Sequence, residues 1–249
     1  MTAAAKDGVA VVSGAATGIG RAIAARIGEH RGIGEVVIVG RRADRLAAVA
    51  EQLGPHVVPV AADLSEPGGA RAVLAAIGGR VVDVLVNNAG GNVDPQRVQE
   101  LDALPEAWHS NVRANVLPAV LLTQALLPLL RRPGGRIVTV GSVAAERGPA
   151  TYGGAKAALY PWSTELAVRL ARDQVTVNVV APGYVTDTEF YGERMSQEFH
   201  DGRARLSPMN RGASPGEVAA TVCHLAAPEA GFITGQVVHV NGGALLPRT

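Results

Sequence analysis

Seven short hydrophobic runs recur along the chain, and valine and isoleucine dominate them. The runs occupy residues 9–13, 35–39, 57–61, 81–86, 136–141, 175–181 and 236–240. Within each run the apolar residues are largely continuous rather than alternating with polar ones, as in parallel strands buried on both faces. The pattern therefore predicts seven buried, parallel strands.

Alanine- and leucine-rich stretches of helical character separate these strands. They cover residues 18–30, 43–53, 66–78, 104–131, 151–172 and 214–227, and we expect the longest to break near residues 115–118. The alternation predicts an α/β fold: a Rossmann-like, doubly wound parallel sheet with helices on both faces. Because no stretch has the composition of a linker, we predict a single domain over residues 1–249.

One irregular stretch, residues 183–212, interrupts this rhythm. It is polar and contains short helical fragments at best. A loop of this length inside a compact domain is usually a lid or a binding loop. We predict a substrate lid here, and the alternative is a disordered insertion.

The composition excludes several classes of protein. Of the 249 residues, 47% are hydrophobic and 18% are charged, which is too apolar for a disordered chain. The 23 Lys and Arg residues balance the 22 Asp and Glu residues, so no surface for nucleic acid is indicated. One cysteine permits no internal disulfide, and no Cys/His group has the spacing of a metal site.

The distribution of apolar residues indicates the cellular location. The longest uncharged apolar stretch, residues 116–130, is too short to span a bilayer and contains two prolines. The first residues of the chain do not contain the apolar core of a signal peptide. We therefore predict a cytoplasmic protein that does not span a membrane.

A glycine-rich segment follows the first strand and leads directly into a helix. Its glycines have the spacing G-x-x-x-G-x-G over residues 14–20. Gly14 permits a tight turn, Gly18 permits close approach to a pyrophosphate, and Gly20 permits close packing of the helix on the strand. We predict that Gly14, Thr17, Gly18, Ile19 and Gly20 bind a dinucleotide. The alternative is a glycine-rich turn without a ligand.

The end of the second strand indicates which dinucleotide binds. An acid about 20 residues past the glycine loop would bind the adenosine ribose, but Gly40 stands there and Arg41 and Arg42 follow it. A guanidinium binds a 2′-phosphate, which a carboxylate would repel. We predict NADP(H), with Arg41 at the phosphate, in preference to NAD(H). The alternative is that both arginines are merely solvated.

Several motifs in fixed order resemble those of the short-chain dehydrogenase/reductases. Besides the glycine loop they are Asn-Asn-Ala-Gly at 87–90, Tyr-x-x-x-Lys at 152–156, Pro-Gly at 182–183, and the tail segments 232–236 and 240–243. The resemblance covers essentially the whole chain and is closest in character to the 3-oxoacyl-[acyl-carrier-protein] reductases.

The resemblance implies four catalytic residues. Tyr152 matches the general acid/base, and Lys156, one helical turn away, is expected to lower its pKa and to bind the nicotinamide ribose. Ser142 matches the residue that polarises the substrate carbonyl. Asn115 matches the residue that holds a water of the proton relay, and Asn111 competes for this role. Each residue alone also permits a purely structural interpretation.

The resemblance also implies further cofactor contacts. Asp63 and Leu64 match a pair that binds adenine, and residues Asn88, Ala89 and Gly90 are expected to line the cofactor cleft. Tyr152 and Lys156 complete the nicotinamide end. Val185 and a threonine are expected at the carboxamide; we favour Thr188, with Thr186 as the alternative.

The predicted activity is that of an NADP(H)-dependent oxidoreductase that transfers hydride between the nicotinamide and a carbonyl/alcohol substrate. A 3-oxoacyl thioester is one candidate substrate; a free ketone, polyketide, quinone, sugar or steroid is the alternative. A non-catalytic NADP(H) sensor is the alternative from another class. Only nine residues separate Ser142 from Tyr152, fewer than is common in the family, so we expect an altered substrate entrance.

Two expectations concern partners. The resemblance implies a homotetramer built partly from helices 104–131 and 151–172 and from the C-terminal strand region. If the substrate rides on a carrier protein, we expect basic residues at the pocket entrance, and four arginines end these two helices: Arg131, Arg132, Arg169 and Arg172. The alternative is that they only complement the helix dipoles.

Overall fold

One parallel sheet forms the centre of the molecule. The computed structural model describes residues 7–29, 32–93, 100–194 and 196–246. Within these ranges there are seven strands: β1 Gly8–Ser13, β2 Ile33–Gly40, β3 Val57–Ala61, β4 Val82–Asn87, β5 Arg136–Val140, β6 Thr176–Pro182 and β7 Val237–Val240. All neighbours are parallel and the spatial order is β3-β2-β1-β4-β5-β6-β7. All seven predicted strands are confirmed.

Helices connect the strands. They are α1 Gly18–Ile27, α2 Ala43–Leu53, α3 Pro67–Ile77, α4 Leu104–Asn115, α5 Leu117–Leu126, α6 Ala144–Arg147, α7 Ala150–Leu170, α8 Gln197–Ala204 and α9 Pro215–Ala226. Short 3₁₀ turns lie at Leu101–Ala103, Leu127–Leu129, Ala171–Asp173, Glu189–Arg194 and Pro228–Ala230. The break in the longest predicted helix falls at Val116, as expected. The predicted end of the first helix, at residue 30, lies outside the described residues.

Hydrophobic side chains pack on both faces of the sheet. On one face the buried residues of α1 and α9 pack against β1 and β2, and on the other those of α3, α5 and α7 pack against β4 and β6. In β1, Val11 pairs with Val37 of β2 and with Leu85 of β4, and all three side chains are buried. Burial on both faces explains the continuous valine runs and confirms the doubly wound fold.

The strand order reverses between β1 and β4, and a buried serine joins these two strands there. The Ser13 hydroxyl accepts hydrogen bonds from the backbone N–H groups of Asn88 and Ala89, each at 3.0 Å. It donates in turn to the Val86 carbonyl. The Asn88 side chain donates to the carbonyls of Ser13 and Gly14. In open α/β sheets the reversal point is where ligands bind.

One helical stretch resembles a membrane span by length and composition. The run Leu101–Leu129 has a mean hydropathy of 1.4 in its most apolar window, and 33% of that window is buried. Core helices of soluble proteins pass the same test. The run is divided into 3₁₀ turns and the helices α4 and α5. It is weak evidence for a membrane.

Replacing Gly20 with alanine should disturb the packing of the first turn of α1 against Gly14 and Asn88. The new methyl group would lie 2.2 Å from the Gly14 carbonyl oxygen and 2.4 Å from Asn88 Nδ2, so the backbone must shift. We expect a loss of about 1–3 kcal/mol in the free energy of unfolding, as for other overpacked sites. Urea denaturation measures this loss in the free energy of unfolding.

Gly68→Ala is the matched control, because a methyl group there meets no atom within 4 Å. Gly68 lies within α3, where alanine is about 1 kcal/mol more favourable than glycine. Equal effects of the two substitutions would contradict the close contact at Gly20.

Candidate active site

A large cavity opens at the carboxyl ends of the strands, where their order reverses. Its volume is about 1050 Å³. Its walls come from the glycine loop, the segments after β2, β4, β5 and β6, the 183–212 segment and the chain around β7. Most of the cofactor and catalytic residues singled out in the sequence lie in these walls.

The glycine loop forms one end of the cavity. Gly14, Thr17, Gly18, Ile19 and Gly20 all line it. Gly14 and Gly18 have φ values of 66° and 52°, in the left-handed region that favours glycine. The first turn of α1 starts at Gly18 and has unpaired backbone N–H groups. Such a helix start attracts anions.

Arg41 and Arg42 line the same end of the cavity, but their surroundings differ. Arg42 forms an ion pair of 2.9 Å with Glu189, a residue of the 183–212 segment, and Arg45 pairs with the same carboxylate. Arg41 makes no hydrogen bond or ion pair with any described residue. Its guanidinium is therefore free to bind an anion.

The adenine pair suggested by the resemblance does not line the cavity. The Asp63 carboxylate accepts two hydrogen bonds from Ser65, which lower the pKa of Asp63, and the charge of Arg41 lowers it further. Leu64 is buried in the core. Asp63 thus lies in the electrostatic field of Arg41 at the rim of this end.

The Tyr152 side chain projects from the first turns of α7 into the cavity and is only 7% exposed. Burial strongly raises the pKa of its phenol, and the Ser142 hydroxyl partly opposes this effect. The net direction is upward because desolvation outweighs the favourable bond from Ser142. The expected lowering by Lys156 stays a prediction.

Lys156 lies one turn further along α7 and is 4% exposed. Its ammonium group donates to the Val140 carbonyl oxygen at 3.1 Å. Burial lowers the pKa of this lysine to about 8. Burial thus disfavours the charged form of both groups, but a pKa of about 8 leaves the Lys156 ammonium largely charged at neutral pH.

Ser142 follows β5 and faces the same cavity. Its backbone carbonyl accepts a hydrogen bond of 2.7 Å from the Tyr160 hydroxyl, and its Oγ accepts one from the Ala144 N–H. Tyr160 was not singled out in the sequence. Its position two turns beyond Tyr152 on the same helix was the available signal.

Asn115 lies behind the cavity wall and is fully buried. Its side chain accepts from the Gly91 N–H at 3.0 Å and donates to the carbonyls of Gly91 and Asn111. A methyl group on Gly90 would lie 2.7 Å from Asn115 Oδ1 and 3.1 Å from Lys156 Nζ. Asn115, rather than Asn111, thus holds the turn beside Lys156. Asn88 and Gly90 line the cavity, and Ala89 does not.

The 183–212 segment covers the cavity with aromatic side chains. The rings of Tyr184, Phe190, Tyr191 and Phe199 form a connected cluster, and the Phe190 ring lies 5.6 Å from that of Tyr152. Val185 and Thr188 line the cavity. Thr186 does not, because its hydroxyl bonds to Asp187 and to the Ala213 carbonyl. Residue 195 of this segment lies outside the described residues.

The short connection between Ser142 and Tyr152 contains the four-residue helix α6. Glu146 of α6 pairs with His239 of β7 at 2.7 Å, and Arg147 donates to the Ala244 carbonyl. Both contacts tie this connection to the C-terminal segment. The short connection between Ser142 and Tyr152 is thus held against the cavity wall that contains His239.

The expectation that four helix-ending arginines surround the entrance is wrong. Arg131 and Arg132 precede β5, and Arg169 and Arg172 precede β6, so they lie at the amino edge of the sheet, opposite the cavity. None of the four lines the cavity. Three have carboxylate partners, namely Asp83 for Arg131, Asp173 for Arg132 and Glu165 for Arg169.

Comparisons with known proteins agree with this arrangement. A family model described as Enoyl-(Acyl carrier protein) reductase matches residues 14–244. The 3-oxoacyl-[acyl-carrier-protein] reductase of Vibrio harveyi is 35% identical over 246 residues, covering 94% of this chain and 96% of the relative. The chain belongs to the short-chain dehydrogenase/reductase family.

Other members of this family differ in what their names say they act on. The 2,3-dihydroxy-2,3-dihydro-p-cumate dehydrogenase of Pseudomonas putida is 37% identical, with 96% of this chain and 94% of the relative covered. The structure of Pseudomonas aeruginosa RhlG in an NADP active-site complex matches with a TM-score of 0.85 at 31% identity, over 97% of both chains. Short-chain dehydrogenase/reductases are oxidoreductases that normally use a nicotinamide cofactor.

The buried lysine gives the cofactor-free protein a specific pH dependence. The pKa of Lys156 is about 8 in the folded chain, against 10.5 for a free lysine, so the unfolded chain binds this proton more tightly. Stability should therefore rise as the pH increases from 8 towards 10. Compared with Lys156→Met, the wild-type chain should gain about 2 kcal/mol over that interval.

Urea titrations of both proteins at pH 8 and pH 10 measure the difference. The methionine variant retains the volume of the side chain and lacks the titrating group. If the two free energies of unfolding change in parallel with pH, the amine is not desolvated as the structure indicates.

Proposed function

We propose that this protein is an NADP(H)-dependent oxidoreductase that transfers hydride between the nicotinamide and a carbonyl/alcohol substrate. The observation that carries the proposal is the shared cavity. Ser142, Tyr152 and Lys156 line it together with the glycine loop and Arg41, which pairs with none of the described residues. A dinucleotide seated on the loop would extend towards these three side chains.

The residues present fit such a cofactor. Gly14 and Gly18 leave a cradle without side chains at the start of α1, where a pyrophosphate would be stabilised by backbone N–H groups. Arg41 would hold the 2′-phosphate. Lys156, Val185 and Thr188 would hold the nicotinamide end. When bound, the cofactor supplies or accepts the hydride.

Tyr152 would supply the proton. Its raised pKa keeps the phenol protonated near neutral pH, so it can donate to a carbonyl oxygen as negative charge develops there. The Ser142 hydroxyl would donate a second hydrogen bond to the same oxygen. Lys156 would stabilise the resulting phenolate, since it lies one turn away on the same face of α7.

The substrate class is a narrower proposal. A 3-oxoacyl thioester is supported by the Vibrio harveyi relative, which is named for that substrate. A free alcohol or ketone is supported by the Pseudomonas putida relative, which is named for a small dihydrodiol. The aromatic side chains that cover Tyr152 suit an apolar substrate body in either case.

The remaining proposals concern the domain, its lid, the cellular location and the oligomeric state. We propose a single catalytic domain with the 183–212 segment as its substrate lid, and a cytoplasmic homotetramer. Support for assembly comes from the outer faces of α5 and α7, where Leu121 is half-buried and Val168 is 74% exposed. Carrier-protein docking has no support from Arg131, Arg132, Arg169 or Arg172.

Replacing Tyr152 with phenylalanine tests the reaction. The variant lacks the proton donor, so kcat for NADPH-dependent reduction should fall at least ~100-fold, the lower end for general acid catalysis. A screen across acyl thioesters, diketones, quinones and sugars identifies the assay substrate. NADPH fluorescence should show unchanged cofactor binding.

Parental turnover by this variant would refute the assigned mechanism. A wild-type chain that binds NADPH tightly but reduces no carbonyl in the screen would favour the alternative, a non-catalytic sensor.

Replacing Arg41 with alanine tests the cofactor. Only NADPH has the 2′-phosphate, so its Kd should rise about tenfold or more while that of NADH changes little, as for loss of a charge-assisted hydrogen bond. Parallel fluorescence titrations measure both. Arg71→Ala, which removes an exposed arginine of α3, is the matched control for net charge. If the affinities for NADPH and NADH fall equally, Arg41 does not recognise the 2′-phosphate and has only a structural role.

A further inference from the structure

Glu189 brings a negative charge to the end of the cavity where a 2′-phosphate would bind. Its carboxylate accepts from Arg42 at 2.9 Å and from Arg45. These bonds connect the 183–212 segment to the start of α2, across 147 and 144 residues of sequence. Both arginines hold the pKa of this carboxyl below its usual range, so it is charged at neutral pH.

The phosphate and this carboxylate require the same partners. Arg42 and Glu189 line the cavity beside Arg41. A 2′-phosphate carries close to two negative charges, and it gains most from guanidinium groups that have no other anion. With Glu189 in place, Arg42 is neutralised and the incoming phosphate meets a like charge.

The residue after Glu189 lies against the catalytic tyrosine. The Phe190 ring packs on Tyr152 at 5.6 Å and on Tyr191 at 4.9 Å. Thr188, on the other side, lies beside Gly18, where an added methyl group would come within 3.2 Å of its Cγ2. Three consecutive residues thus contact the glycine loop, the arginines and Tyr152.

We propose that Glu189 is an internal counter-ion which the 2′-phosphate of the cofactor displaces, and that its release loosens the turn that holds Phe190 over Tyr152. Glu189 is thereby a determinant of cofactor specificity, and occupation of the phosphate site is coupled to access of substrate. This inference rests on the proposed function, since it assumes a cofactor with a 2′-phosphate.

The exchange is feasible because the ion pair is weak. The side chains of Arg42, Arg45 and Glu189 are each nearly half exposed, and such pairs contribute little to stability. A phosphate with an additional bond to Arg41 can therefore replace the carboxylate. A deeply buried pair would resist the exchange.

The test uses two fragments that contain no nicotinamide, adenosine 2′,5′-bisphosphate and AMP, on the full chain. We expect Glu189→Gln to tighten binding of the bisphosphate about threefold to fivefold, in line with the small strength of an exposed pair. Binding of AMP should remain unchanged. Glu198→Gln is the matched control, because it removes one exposed negative charge from α8 in the same segment. Isothermal titration calorimetry measures the affinities.

Hydrogen exchange supplies a second readout that does not depend on activity. In the wild-type chain the bisphosphate should accelerate amide exchange in residues 187–192, and AMP should not. In Glu189→Gln the exchange should already be fast and insensitive to either fragment.

Three outcomes separate the proposals. A wild-type preference for the bisphosphate that Glu189→Gln increases and Glu198→Gln does not increase supports the counter-ion. The same preference, unchanged in Glu189→Gln, overturns the counter-ion and leaves the NADP(H) proposal standing. No wild-type preference for the bisphosphate over AMP overturns both.

Discussion

The Ser13 hydroxyl fixes the relative position of the two central strands at the end where the cavity opens. The hydroxyl donates to the Val86 carbonyl and accepts from the N–H groups of Asn88 and Ala89. The Asn88 side chain in turn donates to the carbonyls of Ser13 and Gly14, at the start of the glycine loop. Buried polar groups are costly unless every one is paired, so this network permits one arrangement of the two turns. The glycine loop is thereby placed against the turn at 88–91.

A second group of contacts lies on the other side of the turn at 88–91, towards Lys156 and Tyr152. Asn115 clamps Gly91 through both its side-chain atoms, and Gly90 leaves just enough room for the Asn115 amide and the Lys156 ammonium. Lys156 then reaches the end of β5 through the Val140 carbonyl, and Tyr160 holds the next turn by bonding to Ser142. Asn115 thus positions the turn that lies between the glycine loop and Lys156, although it does not itself line the cavity.

The amino-acid sequence predicted the features that depend on local pattern. Continuous valine runs identified all seven strands, because burial on both faces leaves a local signature. Thr188 lines the cavity and Thr186 does not, a distinction that depends on the hydroxyl of Thr186 bonding to Ala213. The pairing of Glu189 with Arg42 joins positions 147 residues apart, and no local pattern contains such information.

Helical spacing places Lys156 beside Tyr152 but does not give the degree of burial, which dominates the pKa values of both groups. One expectation is wrong for a reason that lies in the connectivity of the chain. The arginines at the ends of α5 and α7 were placed at the entrance, although a helix that leads into a parallel strand must end at the amino edge of the sheet. Connectivity alone was sufficient to exclude them.

The cavity has an exposed cation, Arg41, at the end formed by the glycine loop and a buried cation, Lys156, at the end near Tyr152. Of the described arginines that line it, Arg42 and Arg211 have carboxylate partners, Arg147 bonds a carbonyl, and Arg203 lies over aromatic rings, while Arg41 makes none of these contacts. A solvated, permanently charged guanidinium suits a phosphate that arrives with its own charge. A desolvated amine suits a phenol whose charge develops only during reaction, because the low dielectric around it strengthens the interaction at that moment. Exposure at one end and burial at the other thus fit the roles proposed for Arg41 and for the Tyr152–Lys156 pair.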